Sequence, residues 1–420
     1  MLRFQSTYRR TNTHSKRVLF LGLSWLLAAG SWAAPSAVDA RLSPATAQAI
    51  AAASKPDPEV LLIGVYQELG ANNLRKALEK ADALVEAYPN FRLGHLIRGD
   101  LLLMHSRPVT TLGAVNGPED KLRNLREEAI VRLKSLQERP GPGMIPRLVL
   151  QMRDDQKHVL LVDAKRSRLY MYENKGGELK FLSDYYISQG KLGVNKLKEG
   201  DQRTPIGIYY ITSHLPGARL PDFYGSGALP INYPNEWDKL NGRSGSGIWL
   251  HGVPADSFSR PPLSSDGCVV LTNQDLYKLA TSVEVGKTPV VISESIEFVT
   301  KAKWENDRNL AARLIDGWRR DVESLNPQRL MANYSRNFKS DRGEDLSTWV
   351  GKQQQSVRGV KELSIALRDA THFFYPGRDD MLVSTFTQES QICKSKTSIR
   401  KRQYWAKEGV QWKIVYELIL

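Results

Sequence analysis

Apolar residues change their spacing twice along this chain. Between residues 57 and 139 they recur every three or four positions. Leu61, Leu62, Val65, Tyr66 and Leu69 share one helical face, and Ala77, Ala81, Leu84 and Val85 another. Tyr88-Pro89-Asn90 stops that second helix, because a proline disfavours helical backbone in the residue before it. Leu93, Leu96, Ile97, Leu101 and Leu102 make a third stripe, and Leu122 to Gln137 a fourth helix. The cluster Arg139-Pro140-Gly141-Pro142-Gly143 ends the region.

From Pro146 the pattern becomes that of strands. His158–Asp163 and Arg168–Glu173 are separated by a break of hairpin length, and Phe181–Ser188, Gly207–Ser213 and Val283–Ile292 follow. One short helix is expected from Asn273 to Thr281, with Asn273 as its cap. Near Ser295 the spacing turns helical again: Leu310, Leu314, Ile315, Trp318 and Val322 form a stripe, and a second helix is expected to hold Leu330, Tyr334 and Phe338. Strand-like segments at 362–367, 381–387, 399–405 and 411–418 complete the chain. The fold class is multidomain: an α-helical N-terminal segment (57–143), a mostly-β domain (144–296) and an α+β C-terminal domain (300–420).

Residues 1–33 read as a secretory signal peptide. Arg3, Arg9, Arg10, Lys16 and Arg17 precede an apolar run from Val18 to Ala29, and Ser31-Trp32-Ala33 offers small residues for cleavage. Whether it is cleaved or kept as an anchor stays open. Residues 34–56, rich in Ala, Ser and Pro, read as a flexible linker. Export to the periplasm or cell envelope makes nucleic acid an unexpected partner despite the net charge of +14. An anionic envelope surface, or no partner at all, accommodates the basic C-terminal domain.

There are two cysteines, and no disulfide is expected between them. Cys393 reads as a small buried hydrophobe in a strand. Cys268 stands in Ser264-Ser265-Asp266-Gly267-Cys268-Val269, with sixteen residues between it and His251 of Ile248-Trp249-Leu250-His251-Gly252. A thiol needs a base to become a nucleophile at neutral pH, and a Pro/Ser loop could return the chain to the histidine. On spacing alone, two buried, inert residues explain the pair equally well. No metal site or cofactor is expected: no second ligand stands at metal spacing from His251, and the glycine clusters lack the strand–loop–helix setting of a phosphate cradle.

The letters around the pair change its weight. Ile-Trp-Leu-His-Gly, a Pro/Ser loop and Ser-Asp-Gly-Cys resemble the signature of YkuD-type L,D-transpeptidases. Gly200-Asp201-Gln202-Arg203-Thr204-Pro205-Ile206-Gly207 is similar to that family's second motif. The resemblance covers residues 145–296. It departs at Asp266, where the family carries a second histidine, and at Val270, where many members carry Arg or Asn. The helix, Tyr-Pro break, helix order resembles one tetratricopeptide-like unit, which cannot bury its own faces and should pack on the next domain. The C-terminal pattern resembles the SnoaL-like, nuclear-transport-factor-type cone, a fold that encloses a pocket or mediates dimers.

The resemblance implies a thioester on Cys268 with His251 as its base, and a donor that is a peptidoglycan stem peptide. The acceptor is an amine, such as a second stem or a lipoprotein lysine, or else water. Backbone N–H groups of Asp266, Gly267 and Cys268, at the start of the short helix, would form an oxyanion hole, and Ser265 and Gly252 would hold the loops. Asp266 either orients His251, neighbours the thiolate or faces solvent. The insertion from Leu215 to Arg243 is a candidate lid, with Arg219, Tyr233, Trp237 and Arg243 as candidate substrate contacts. Amidase or hydrolase action, including release of a wall-linked lipoprotein, and a non-catalytic wall-binding scaffold are the alternatives.

Overall fold

The computed structural model describes residues 42–114 and 117–420. The expected signal peptide, and the linker up to residue 41, lie outside these residues. The rest of that linker is not a loose lead-in: Pro44–Ala52 is a helix, started by the Ser43 hydroxyl, which accepts from the Thr46 amide. Helices Pro58–Gly70, Leu74–Ala87, Arg92–Met104 and Glu119–Gln137 follow. Their apolar stripes meet in a core of Leu62, Val65, Ala77, Ala81, Leu84, Leu93, Ile97 and Leu101. Phe258, from the loop after His251, completes that core, its ring 4.3 Å from Phe91 and 5.3 Å from Tyr88. Burying such a side chain contributes roughly 1.5–3 kcal/mol.

In the central domain a five-stranded sheet runs in the order Glu178–Tyr186, Arg168–Lys175, His158–Asp163, Pro289–Ser293, Gly207–Tyr210. The third and fourth strands are parallel, pairing Leu160 with Val290. A smaller sheet of Val269–Val270, Trp249–His251, Gly227–Pro230 and Leu215–Pro216 lies across a core of Leu160, Val162, Leu169, Leu229, Leu250, Val269 and Leu271. Helix Asn273–Ser282 adds Leu276 and Leu279 to that core. Thr272 caps this helix, not Asn273, through a side-chain bond from the Asp275 amide.

The C-terminal domain curls a sheet around helices Lys301–Glu323 and Leu346–Ser356, burying Trp304, Trp318, Trp349, Phe386 and Trp405. Its strand order is Tyr334–Ser340, Gln411–Ile419, Ser395–Glu408, Met381–Ile392, Ser364–Phe374, Val149–Gln151. Two expectations fail here. Tyr334 and Phe338 belong to a strand: residues four apart share a face in a helix and in a strand alike, so their spacing did not discriminate. Val149–Gln151 joins this sheet beside His372 and Phe373 although it precedes the central domain, and Ile145–Pro146 pairs with Phe298–Val299. Cys393 is also misread. It is exposed, at φ 52°, in the turn between two long strands.

The two sheets share a hydrophobic layer. Val159, Leu161, Tyr170, Tyr172, Ile208 and Val291 pack against Phe373, Tyr375, Val383, Tyr404 and Tyr416. The central and C-terminal domains are thus one packed unit, with the Cys268 loop on the side away from this layer's partner sheet: its strand Val269–Val270 lies in the smaller sheet.

Candidate functional site

Trp249–His251 and Val269–Val270 are parallel neighbours, with Leu250 opposite Val269 and His251 opposite Val270. Residues in register on parallel strands share a face, as do residues two apart. Cys268, just before Val269, is therefore level with Trp249 and on the face of His251. The Trp249 amide reaches the Cys268 sulfur, and the thiol donates to the Gly247 carbonyl at 3.4 Å.

The His251 ring is 1% exposed. Its Nδ1 lies 2.7 Å from the Gly252 carbonyl. A carbonyl only accepts, so Nδ1 carries the proton and Nε2 keeps a lone pair. Burial holds the imidazole down to about 4, hence neutral at pH 7. Phe223 and Tyr224 cover it, with ring centroids at 5.5 and 5.2 Å. Gly252 is required for close approach: a Cβ there would stand 2.2 Å from Asn273 Oδ1. That oxygen accepts from the amides of Ser226 and Val253, and Asn273 Nδ2 donates to the Val253 carbonyl. Asn273 thus ties the cover, the loop after His251 and the helix after Cys268 together.

The cysteine loop is held from two sides. Ser265 Oγ donates to the Cys268 carbonyl at 2.6 Å and accepts from the Gly267 amide at 3.1 Å. Thr204 Oγ1 donates to the Gly267 carbonyl at 2.9 Å and accepts from the Gly190 amide at 3.0 Å. Gly267, at φ 131°, has no room for a side chain, since a Cβ would lie 2.8 Å from the Arg203 carbonyl. Of the three amides expected to form an oxyanion hole, that of Gly267 donates to Ser265 Oγ instead. Nor does the loop open a helix: Val269–Val270 and the Thr272 cap intervene. Burial pushes the Cys268 thiol up, while the Trp249 amide and the Arg260 charge oppose the rise.

Asp266 faces outward. Its side chain is 71% exposed, and Oδ1 accepts from Lys191 at 2.8 Å and Gln202 at 3.2 Å. Lys191 holds its carboxyl below the usual range. It does not touch His251, whose Nδ1 is already occupied. Val270 is buried, so no polar contact comes from that position.

Three of the four expected substrate contacts are committed elsewhere. Trp237 stacks on Tyr404 at 4.6 Å and 12°, against the C-terminal sheet. Tyr233 is a core residue whose hydroxyl donates to the Ser244 carbonyl. Arg243 pairs with buried Asp238 at 3.0 Å. Arg219 is exposed on a short 3-10 turn. The expected lid therefore divides: Phe223 and Tyr224 roof the histidine, while Glu236–Leu240 docks on the C-terminal domain, where Glu236 pairs with Arg402 and accepts from Tyr404. Residues the sequence reading passed over are Asn273 as a brace and Arg260, a cation in the Pro/Ser loop. Among the described residues no three His, Cys, Asp or Glu side chains gather as for a metal ion.

Comparison with known proteins agrees with this partition. Residues 157–292 match the L,D-transpeptidase catalytic domain family YkuD, and residues 310–418 match the Cds6 C-terminal NTF2-like domain. YafK of Escherichia coli strain K12, named as a candidate L,D-transpeptidase, is 27% identical over 127 residues, 29% of this chain and 47% of that protein. The chain thus spans about half the length of the curated relatives it matches. Among solved structures, Bd1075 of Bdellovibrio bacteriovorus is similar at 28% identity and TM-score 0.58, over 66% of this chain and 98% of that one. Pgp2 of Campylobacter jejuni, described as a helical cell shape determining protein, shares the fold at 23% identity and TM-score 0.55, over 68% and 98%.

Proposed function

We propose that this chain, in which residues 157–292 form an L,D-transpeptidase catalytic domain and residues 310–418 an NTF2-like domain, is an exported, cysteine-dependent L,D-transpeptidase acting on peptidoglycan stem peptides. The observation that carries the reading is the parallel pairing that puts Cys268 and His251 on one face, with Nδ1 of His251 tied to Gly252. The tie leaves Nε2 as the acceptor for the thiol proton. The likeness to YafK supports the reaction class.

At rest the pair is thiol and neutral imidazole, since burial favours both neutral forms. Sγ attacks the carbonyl carbon at the L-centre as His251 Nε2 takes the thiol proton. The amides of Asp266 and Cys268 are the donors nearest the developing oxyanion. The tetrahedral species then loses its C–N bond, His251 protonates the departing amine, and a thioester remains on Cys268. An acceptor amine, deprotonated by His251, attacks the thioester and the thiol leaves with that proton. With a second stem peptide as acceptor the product is a crosslink, and wall remodelling of this kind acts on cell shape. Water as acceptor gives hydrolysis, and a lipoprotein-linked stem as donor gives lipoprotein release.

Export rests on the basic and apolar N-terminal residues. No helix of the described residues is long and apolar enough to cross a membrane. A dimer through the C-terminal domain would have to use peripheral surface. The centre of that sheet is covered by the catalytic sheet on one face and by helices on the other.

Incubating the protein with tetrapeptide muropeptides and an acceptor amine, with products followed by mass spectrometry, tests the reading. Crosslinked or exchanged products absent from Cys268→Ala are the expected result. Tripeptides alone identify a hydrolase. Intact substrate in every case leaves the scaffold reading standing.

A further inference from the structure

We infer that Arg260 is the carboxylate-binding residue of the cleft, selecting peptides that carry a free carboxylate beside the scissile bond. The inference rests on the reading above for the identity of the peptide.

Arg260 lies in the loop between His251 and Cys268. Its guanidinium sits 4.5 Å over the Phe223 ring, and that ring covers His251 at 5.5 Å. Its charge acts on both the Cys268 thiol and Asp266. The other cations around the cysteine loop are taken: Lys191 by Asp266, Lys196 by Asp201, Arg243 by Asp238, and Arg203 by the Val194 carbonyl. Arg260 alone of this group has no carboxylate within 4.0 Å and no hydrogen bond from its guanidinium among the described residues. A guanidinium stacked on an aromatic face keeps its planar fork free for two parallel bonds to a carboxylate.

The loop is also held in advance. The Arg260 carbonyl accepts from Tyr186 Oη at 2.8 Å, and Tyr186 lies under the Arg132 guanidinium at 3.8 Å. Ser259 Oγ donates to Glu128 at 2.7 Å, and Phe258 is buried in the helical core. Glu128 of helix Glu119–Gln137, Tyr186 and the helical core thereby hold the chain from Phe258 to Arg260. A cation held over Phe223, unpaired and with its charge reaching the Cys268 thiol, binds an anion at little ordering cost. In a stem peptide that anion is either the terminal carboxylate of the departing D-residue or the side-chain carboxylate of a diacid residue.

Two reagents of similar size report this charge without turnover. Iodoacetate brings a carboxylate to the thiol, whereas iodoacetamide is neutral. In a Cys393→Ser background, the iodoacetate-to-iodoacetamide rate ratio at Cys268 should fall about tenfold in Arg260→Gln, the equivalent of about 1.4 kcal/mol. Arg260→Lys should retain part of it. A change in thiol acidity alone moves both rates together and leaves the ratio fixed. An unchanged ratio, with circular dichroism showing the variant folded, overturns the inference whether or not any peptide is turned over. With active protein, amidating the terminal or the side-chain carboxylate of a tetrapeptide should raise KM in the wild type for one of the two. The same amidation should have no effect in Arg260→Gln. Equal turnover of the acid and both amides by the wild type also overturns it.

Discussion

Thr204 holds Gly267: its hydroxyl donates to the Gly267 carbonyl while accepting the Gly190 amide, with all three residues buried. The second sequence motif therefore braces the Cys268 loop through the Gly267 carbonyl.

Thr204→Val keeps the shape and removes both bonds. A buried amide left unpaired costs about 1–3 kcal/mol. Thr204→Val should lower unfolding free energy by that amount in urea titrations and reduce turnover further, because Gly267 is freed. Thr204→Ser should restore both. Loss in Thr204→Ser with none in Thr204→Val would mean that the methyl group, not the hydroxyl, is the brace.

Asp266 supplies a second expectation. Its bonds to Lys191 and Gln202 face solvent, and its negative charge disfavours ionisation of the Cys268 thiol. Asp266→Asn should therefore shift the pH profile of Cys268 alkylation downward and leave turnover within a few-fold of wild type. Turnover lower by orders of magnitude would restore a triad role.

How much of this was legible depended on whether a residue's work is local. Cys268, His251, Gly252 and Ser265 act through short motifs, and their letters stand together. Trp237, Tyr233 and Arg243 looked like cleft residues because a loop rich in aromatics and cations reads the same whether it faces substrate or a neighbouring sheet. Only the Tyr404 stack and the Asp238 pair decide between those readings. Val149–Gln151 was unreadable for the same reason, since a short apolar run carries no mark of which sheet it enters. Arg260 did leave a trace: a lone arginine in the loop joining His251 to Cys268.

Trp237 separates structure from substrate binding. Removing it leaves a void against Tyr404 and Tyr416 in the shared layer. Trp→Ala changes in cores cost ~3–5 kcal/mol, and half-burial here puts the expected loss near the low end. Trp237→Ala should therefore lower thermal stability while KM and the Cys268 alkylation rate stay as in wild type. A raised KM at unchanged stability would return Trp237 to the cleft.

Two buried histidines set the acid limit of the fold. His251 and His372 are both held down to about 4 by burial, from an ordinary value of 6.5. His372 sits in the C-terminal sheet, its Nδ1 2.9 Å from the Ser384 hydroxyl. Their folded-state values lie below the unfolded one, so the unfolded chain binds more protons as pH falls. The stability this represents is complete above pH 6.5, is lost as pH falls through the interval down to about 4, and changes no further below it. Each group can contribute up to ~3 kcal/mol across that interval. Carboxylates held below their usual range add losses at lower pH, and Glu128, pushed up to about 8 by burial, opposes the histidines across the upper part of the window. Lowering the pH from 7 to 5 should cost the wild type more in urea midpoint than it costs His372→Gln. Equal slopes for the two proteins would mean that His372 takes up its proton in the folded chain, through an opening of the sheet beside Ser384.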